Sequence, residues 1–271
     1  MNTLLDPAVT VMPDVQSGLD TRHIPIQRVG VRGVRHPLLL ASSLGQPQAT
    51  VADWEMTVAL PAEEKGTHMS RFIDLLESYR AEPMTPAGLC AMAQVMLERL
   101  HAEAGDVTAD FPYFMEKSAP VSGVRSLMDY QVRWGVHARR HQEASFFLRL
   151  QVPVTSLCPC SKAISEYGAH NQRSHVTVRL DFSAIPEALD LEALIRRIEA
   201  QGSSELWGLL KRADEKYVTE HAYENPKFVE DLVRDVAVML QHQPGVAHYE
   251  VTAENFESIH NHSAYAVVSS H

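Results

Sequence analysis

The order of apolar periodicities along the chain is the strongest constraint on what it can fold into. Trp54 to Pro61, "WEMTVALP", reads as a strand. Thr67 to Tyr79 then carries Phe72, Leu75, Leu76 and Tyr79 on one helical face. A second helix runs through "AMAQVMLERLH", with Thr85 as N-cap and Pro86 at its first position. Strands follow around "SLMDYQVRWGVHA" and "ASFFLRLQVPVTSL". The order then recurs. His175 to Phe182, "HVTVRLDF", alternates with period two, and "LEALIRRIEAQGSSELWGLL" reads as helix. "NPKFVEDLVRDVAVMLQ" is a further helix, with Asn225 as N-cap and Pro226 after it; "GVAHYEVTAEN" and "SAYAVVSS" close as strands. No residue-level repeat accompanies this recurring strand, helix, helix, strand order. The pattern predicts an α+β protein with mostly antiparallel sheets and helices on one face. There is no βαβ rhythm and no glycine-rich phosphate loop. Residues 1–22, with scattered Pro and Asp and no period, read as a flexible N-terminal arm.

Composition excludes several classes. The formal net charge of −10 argues against nucleic acid as a partner. No apolar run approaches the roughly 18 residues of a membrane helix, and the N-terminus lacks the basic and apolar regions of a signal peptide. Three cysteines are too few for a disulfide scaffold and odd in number, which points to a reducing cytoplasm.

Four patches carry residue types suited to chemistry. The first is Ser156 to Ser174, "SLCPCSKAISEYGAHNQRS". Cys158 and Cys160 follow an apolar strand, and a C-P-C pair is not the C-x-x-C of thioredoxin-like redox sites. In an extended stretch, side chains two apart point the same way, so both sulfurs would face one pocket, near His170. Two packed thiols and a surface histidine fit the same residues. The second patch, Lys211 to Asp231, is dense in charge and also reads as a solvated loop between helices. Within it Glu230 borders the apolar arc of Phe228, Val229, Leu232, Val233, Val236 and Met239, where a carboxylate can face either a cleft or water. The third, "ENFESIHNHSAYA", places His260 and His262 at alternate positions, hence on one face. Two imidazoles, a carboxylate and a thiolate make a sensible set for a divalent ion. The fourth, "KGTHMSRF", puts His68 and Arg71 at a helix start with Thr67 as N-cap, a natural anion site or an ordinary helix beginning.

Together these four patches resemble the type IB GTP cyclohydrolases, over about Pro25 to Val268, with the arm outside the resemblance. That family has the tunnelling fold, in which a four-stranded antiparallel sheet carries two helices on one face. The resemblance implies two such units in tandem, at residues 23–150 and 151–271, the second carrying most site residues. It implies a homo-oligomer, usually a tetramer, with active sites between subunits. The implied reaction is hydrolysis of GTP to 7,8-dihydroneopterin triphosphate and formate, at the head of folate and pterin biosynthesis. It needs one divalent metal, Zn²⁺, Mn²⁺ or Fe²⁺, and no organic cofactor. Carried over residue by residue, Cys158, His170, Glu215 and His260 are the metal ligands, with Glu220 and Glu224 close to Glu215. Cys160 is the second thiol, off the metal and able to move a proton. His262 is either a histidine supporting a metal ligand from behind or an acid/base histidine, and Glu230 the carboxylate that accepts two hydrogen bonds from guanine. Lys162, Arg173, Lys211, Arg212, His68 and Arg71 are the candidate cations for the triphosphate. Two other readings stand beside this one: another tunnelling-fold enzyme acting on a purine or pterin, such as a nitrile reductase or pterin synthase, and a structural zinc protein without catalysis.

Overall fold

The computed structural model describes residue 16, residues 18–42 and residues 45–270. Residues 1–15 and 17 of the expected arm lie outside the described residues. Residues 18–20 are tied down: Leu19 bridges Glu64, the Asp20 N–H donates to Glu63 O and the Lys65 N–H to Gly18 O.

Among the described residues, eight strands form one antiparallel sheet in chain order. They are β1 (Ile26–Leu40), β2 (Gln48–Leu60), β3 (Ala104–Ser118), β4 (Arg125–Arg139), β5 (Ser145–Leu157), β6 (Asn171–Phe182), β7 (Val246–Asn255) and β8 (Ala264–Ser269). Helices α1 (Met69–Tyr79) and α2 (Pro86–Leu100) lie between β2 and β3. A short α3 (Pro159–Ile164) follows β5. Helices α4 (Leu191–Glu199), α5 (Arg212–Glu224) and α6 (Val229–Leu240) lie between β6 and β7. Among the described residues no helix is long and apolar enough to cross a membrane.

The α+β, antiparallel expectation therefore holds. The sheet is continuous, however, because β4 pairs with β5 from Gln131↔Gln151 to His137↔Ser145. A division at residue 150 would pass through β5; the chain reverses between β4 and β5 instead. Strand alternation puts Trp54, Met56, Val107, Phe111, Val132, Trp134, Leu148, Val152, Val176 and Val251 on one face, where the helices cover them in a single core. The opposite face carries charge pairs such as Arg133–Asp110 and Arg32–Glu55.

Several local readings change. β1 and β3 were not visible in the period. β3 contains Pro112, which has no N–H for a ladder. It is tolerated because β2 has left β3 by that point: their pairing stops at Asp53↔Asp110. The Gln48 amide takes over the vacated position, bonding both the N–H and the C=O of Phe114 at 2.9 and 2.7 Å. α1 is capped by His68, not Thr67. Thr85 caps α2 as expected, accepting the Gly88 N–H at 2.9 Å. Asn225 is the C-cap of α5 and not an N-cap; the residue before a proline avoids helical dihedrals, and α6 starts only at Val229. The helix expected over "LEALIRRIEAQGSSELWGLL" stops at Glu199. The charged 211–224 segment is a regular helix, α5, not a solvated loop.

Asp214 explains where α5 begins. It is fully buried, and its carboxylate accepts the N–H groups of Val121, Ser122 and Lys211, each at 2.8 Å, and the Ser122 hydroxyl at 2.6 Å. Burial pushes this carboxyl upward, but those hydrogen bonds outweigh it and hold it far below the usual carboxylate range. The β3–β4 turn thus fixes the start of α5.

A group with a depressed native pKa contributes stability above its unfolded value, which is lost as pH falls. Asp214→Asn is therefore expected to melt at a lower temperature than wild type at pH 7. The gap should narrow below about pH 4, where the unfolded carboxyl titrates. A gap that stays constant from pH 7 to pH 3 in thermal melts would remove the charge from this account.

Candidate active site

The β5–β6 ladder runs to its last pair, Leu157↔Asn171, and sets the first two site residues beside each other. Cys158 continues β5 in an extended conformation, and its N–H donates to His170 O at 3.1 Å. Pro159 then opens α3, since its fixed φ suits a first helical position. Cys160 consequently lies in a helical turn and does not extend the strand, so the expectation that both thiols point alike does not hold. Cys158 is half-buried, with Sγ accepting the Ser161 N–H at 3.4 Å, whereas Cys160 is exposed. The Ser161 hydroxyl also accepts the His170 N–H at 3.2 Å, closing the loop onto α3.

A buried polar chain orients His170. Ser174 and Ser156 share a hydrogen bond of 2.7 Å, and Gln172 Nε2 donates to Ser156 Oγ at 2.9 Å. Gln172 Oε1 lies 3.0 Å from His170 Nδ1. With the amide N–H group committed to Ser156, that oxygen accepts from Nδ1–H, and Nε2 keeps the free lone pair. Both serines are 0% exposed and Gln172 is buried, so few rearrangements compete with this tautomer.

One acidic residue joins the site only in the folded chain. Glu257 Oε2 lies 4.0 Å from His170 Nδ1, and both side chains are nearly enclosed. The signal was present in "ENFESIHNHSAYA": a carboxylate three residues before His260, in the same turn. His260 and His262 sit in that turn, exposed, their rings stacked at 5.0 Å and 15°. They share a side as the spacing predicts, in a turn between β7 and β8. Glu215 is on the exposed side of α5, and Glu230 is exposed in the first turn of α6. Among the described residues, no three His, Cys, Asp or Glu side chains converge as a metal-binding group. Within one chain the ladder sets the backbones of Cys158 and His170 side by side, and Glu257 lies beside His170.

The candidate cations are dispersed. Arg71 Nη1 donates to Arg99 O at 2.8 Å, at the C-terminal end of α2. Lys162, on α3, donates to Tyr223 O and lies 4.3 Å from that ring's centroid, which ties α3 to the end of α5. Lys211 and Arg212 are exposed at the start of α5, and His68 caps α1. Arg173 points to the sheet face opposite Gln172 and lines a cavity of about 430 Å³ with His175, Tyr130 and Trp207. Burial and the Arg173 charge both push His175 downward, towards the neutral imidazole.

The pair at the centre of this arrangement fits a divalent ion. A half-buried sulfur and an imidazole held in one tautomer by a buried amide are the donor types such ions take. The amide is the kind of outer partner that histidine ligands keep.

A family model described as type I GTP cyclohydrolase folE2 matches residues 12–266. The match begins within the N-terminal segment that the sequence reading left outside the resemblance. A GTP cyclohydrolase FolE2 of Bordetella petrii is 69% identical over 268 residues, covering 99% of both chains. GTP cyclohydrolase FolE2 2 of Burkholderia lata is 60% identical over 264 residues, covering 97% of this chain and 96% of that one. Among solved structures, a uricase from Bacillus fastidious superposes with a TM-score of 0.56 over 91% of this chain and 93% of that one, at 10% identity. A uricase from Arthrobacter globiformis gives a TM-score of 0.50 over 95% of each chain, at 9% identity. These structural likenesses bear on the fold alone. From the family match over most of its length and from relatives this similar end to end, the chain belongs to the type I GTP cyclohydrolase folE2 family.

Proposed function

We propose that this chain is a GTP cyclohydrolase of type IB, converting GTP to 7,8-dihydroneopterin triphosphate and formate as the first step of folate and pterin biosynthesis. The observation that carries the reading is the Cys158–His170 pair with its Gln172–Ser156–Ser174 support, in a chain matched to this family over residues 12–266. The overall reaction adds water at purine C8, opens the imidazole ring and releases formate; the ribose then rearranges and closes the pterin ring.

Each residue has a task in this scheme. Cys158 Sγ and His170 Nε2 hold one divalent ion, Zn²⁺, Mn²⁺ or Fe²⁺, with Glu215 and His260 completing the set. Such an ion, when bound, makes a water nucleophilic near neutral pH. Exposed Cys160 is off the ion and moves a proton, and His262 serves as acid or base at the same turn as His260. Glu230 accepts two hydrogen bonds from the N–H edge of guanine, which favours GTP over ATP. Lys162, Arg173, Lys211, Arg212, His68 and Arg71 are the cationic candidates for the triphosphate.

That no three His, Cys, Asp or Glu side chains converge among the described residues supports a site completed between subunits. Edge strands β1 and β8 support association as well, since each leaves one side of its backbone without a partner strand in the sheet. We read the assembly as a homotetramer. We read the chain as two tandem tunnelling-fold units, β1–β4 with α1 and α2, and β5–β8 with the remaining helices, working in the cytoplasm without an organic cofactor.

Purified protein incubated with GTP and Mn²⁺ or Zn²⁺ is expected to yield pterin fluorescence after oxidation. Absence of pterin with every metal tried would overturn the reading. Cys158→Ala should lose the bound metal, whereas Cys160→Ala should retain it and lose turnover; metal analysis beside the pterin assay separates the two, and loss of metal in Cys160→Ala would reverse their roles. Gln172→Leu frees the His170 ring and leaves Ser156 without its donor. Metal affinity should fall by about 10–100-fold, with the protein still folded by circular dichroism; unchanged affinity would take the tautomer chain out of the mechanism.

A further inference from the structure

This inference rests on the reading of Cys158 as a metal ligand and concerns what holds that residue in place. β4 accompanies β5 only as far as Gln131↔Gln151. Beyond it, one side of β5 from Val152 to Leu157 would stand open. The segment after α4 fills that gap. Thr155 and Ser204 form an antiparallel bridge, with the Thr155 N–H on Ser204 O at 2.8 Å and the Ser203 N–H on Thr155 O at 2.9 Å. The Ser203 hydroxyl accepts the N–H of Leu157, the residue before Cys158, at 3.0 Å. On the same residue, Leu157 O accepts the Lys227 N–H at 3.0 Å. Ser203 is completely buried.

The segment is in turn locked to β3 and β4. Glu199, the last residue of α4, takes the Lys117 ammonium at 2.7 Å and the Tyr130 hydroxyl at 2.7 Å on one carboxylate oxygen. Lys117 also reaches Glu205 at 2.9 Å and lies 4.8 Å from the centroid of the Trp207 ring. Trp207 Nε1 donates to Ser118 O at 3.0 Å. Lys117 and Glu199 are 2% and 1% exposed, and nothing in the proposed chemistry uses them. A buried pair of this kind contributes little net stability over an apolar filling, but it holds one arrangement strictly, because separating the charges leaves each uncompensated.

We propose that residues 199–207 act as a strut. The Lys117–Glu199 pair keys it to β3 and β4, and Ser203 keys it to the end of β5. Ser203 is then a positioning residue that sets where the Cys158 sulfur meets the ion, without touching ion or substrate itself. Lys117 and Glu199 act through it from farther away.

The test uses the full-length protein in two arms. Metal-free, amide hydrogen exchange is read residue by residue in wild type and Ser203→Ala. Separately, Mn²⁺ affinity is measured by the loss of the free-ion electron paramagnetic resonance signal, with Cys158→Ala as control. Ser203→Ala should speed exchange at Leu157 and Cys158 selectively and weaken Mn²⁺ binding by about 10–100-fold, the range for outer partners of metal ligands. The shape-conserving pair Lys117→Met with Glu199→Gln should weaken Mn²⁺ binding in the same direction. A merely structural role predicts even acceleration across β5 and β6 with Mn²⁺ affinity unmoved, and that result in Ser203→Ala overturns the proposal. If Cys158→Ala binds Mn²⁺ as well as wild type, the ligand reading fails on its own control, and the positioning role falls with it.

Discussion

The β5–β6 ladder is the constraint on which the rest of the molecule turns. It begins at Phe147↔Asp181 and runs in step to Leu157↔Asn171. A slip of one residue would turn every side chain to the opposite face. A slip of β6 would take Val176 and Val178 out of the core, and Gln172 and Ser174 out of their buried chain. The core demand for valine at alternating positions therefore fixes the orientation of a histidine several residues away. Packing and chemistry share one register here, and neither can be retuned without the other.

Burial of polar groups follows the same economy. Among the described residues, the deeply buried polar side chains fall largely into three assemblies: Ser156–Gln172–Ser174, Asp214 with its N–H donors, and Lys117–Glu199–Tyr130. The first lies near the end of the β5–β6 ladder, just before the loop to α3; the others lie at the start of α5 and the end of α4. Water is excluded at such joints, so a backbone N–H without a partner costs about 1–3 kcal/mol. At the start of α5 the Asp214 oxygens take the N–H groups of Val121, Ser122 and Lys211. The three assemblies thus sit at or beside places where the chain departs from helix and strand.

Much of this was legible in the chain, and what was not has identifiable causes. Strong alternation exposed β6 and β7, and the Thr85–Pro86 signal located α2. β3 was hidden by Pro112, whose tolerance depends on where β2 departs and so on tertiary structure. α5 was hidden by its charge, since a helix held by a single buried aspartate need show little apolar stripe. Asn225–Pro226 resembles a helix start, but the backbone restriction before proline makes it a helix end here. At the site, Cys158 and His170 came from motif resemblance, and the ladder puts them together. The i, i+2 geometry of Cys158 and Cys160 departs from the extended reading because Pro159 begins a helix. Glu257 was missed because a lone glutamate in a turn carries no period; only the folded chain brings it within 4.0 Å of His170.

Gly202, between α4 and the Thr155 bridge, has a wider consequence. A methyl group there would lie 2.8 Å from Val154 Cβ on the neighbouring strand β5, closer than two carbons can pack. The clash is with a branched carbon and not a flexible side-chain tip, so relief would require moving β5 itself. A residue with no side chain is therefore among the least exchangeable in the chain. Position 202 is thus held by shape alone: what it tolerates is set by how closely the segment passes Val154, not by any chemistry of its own.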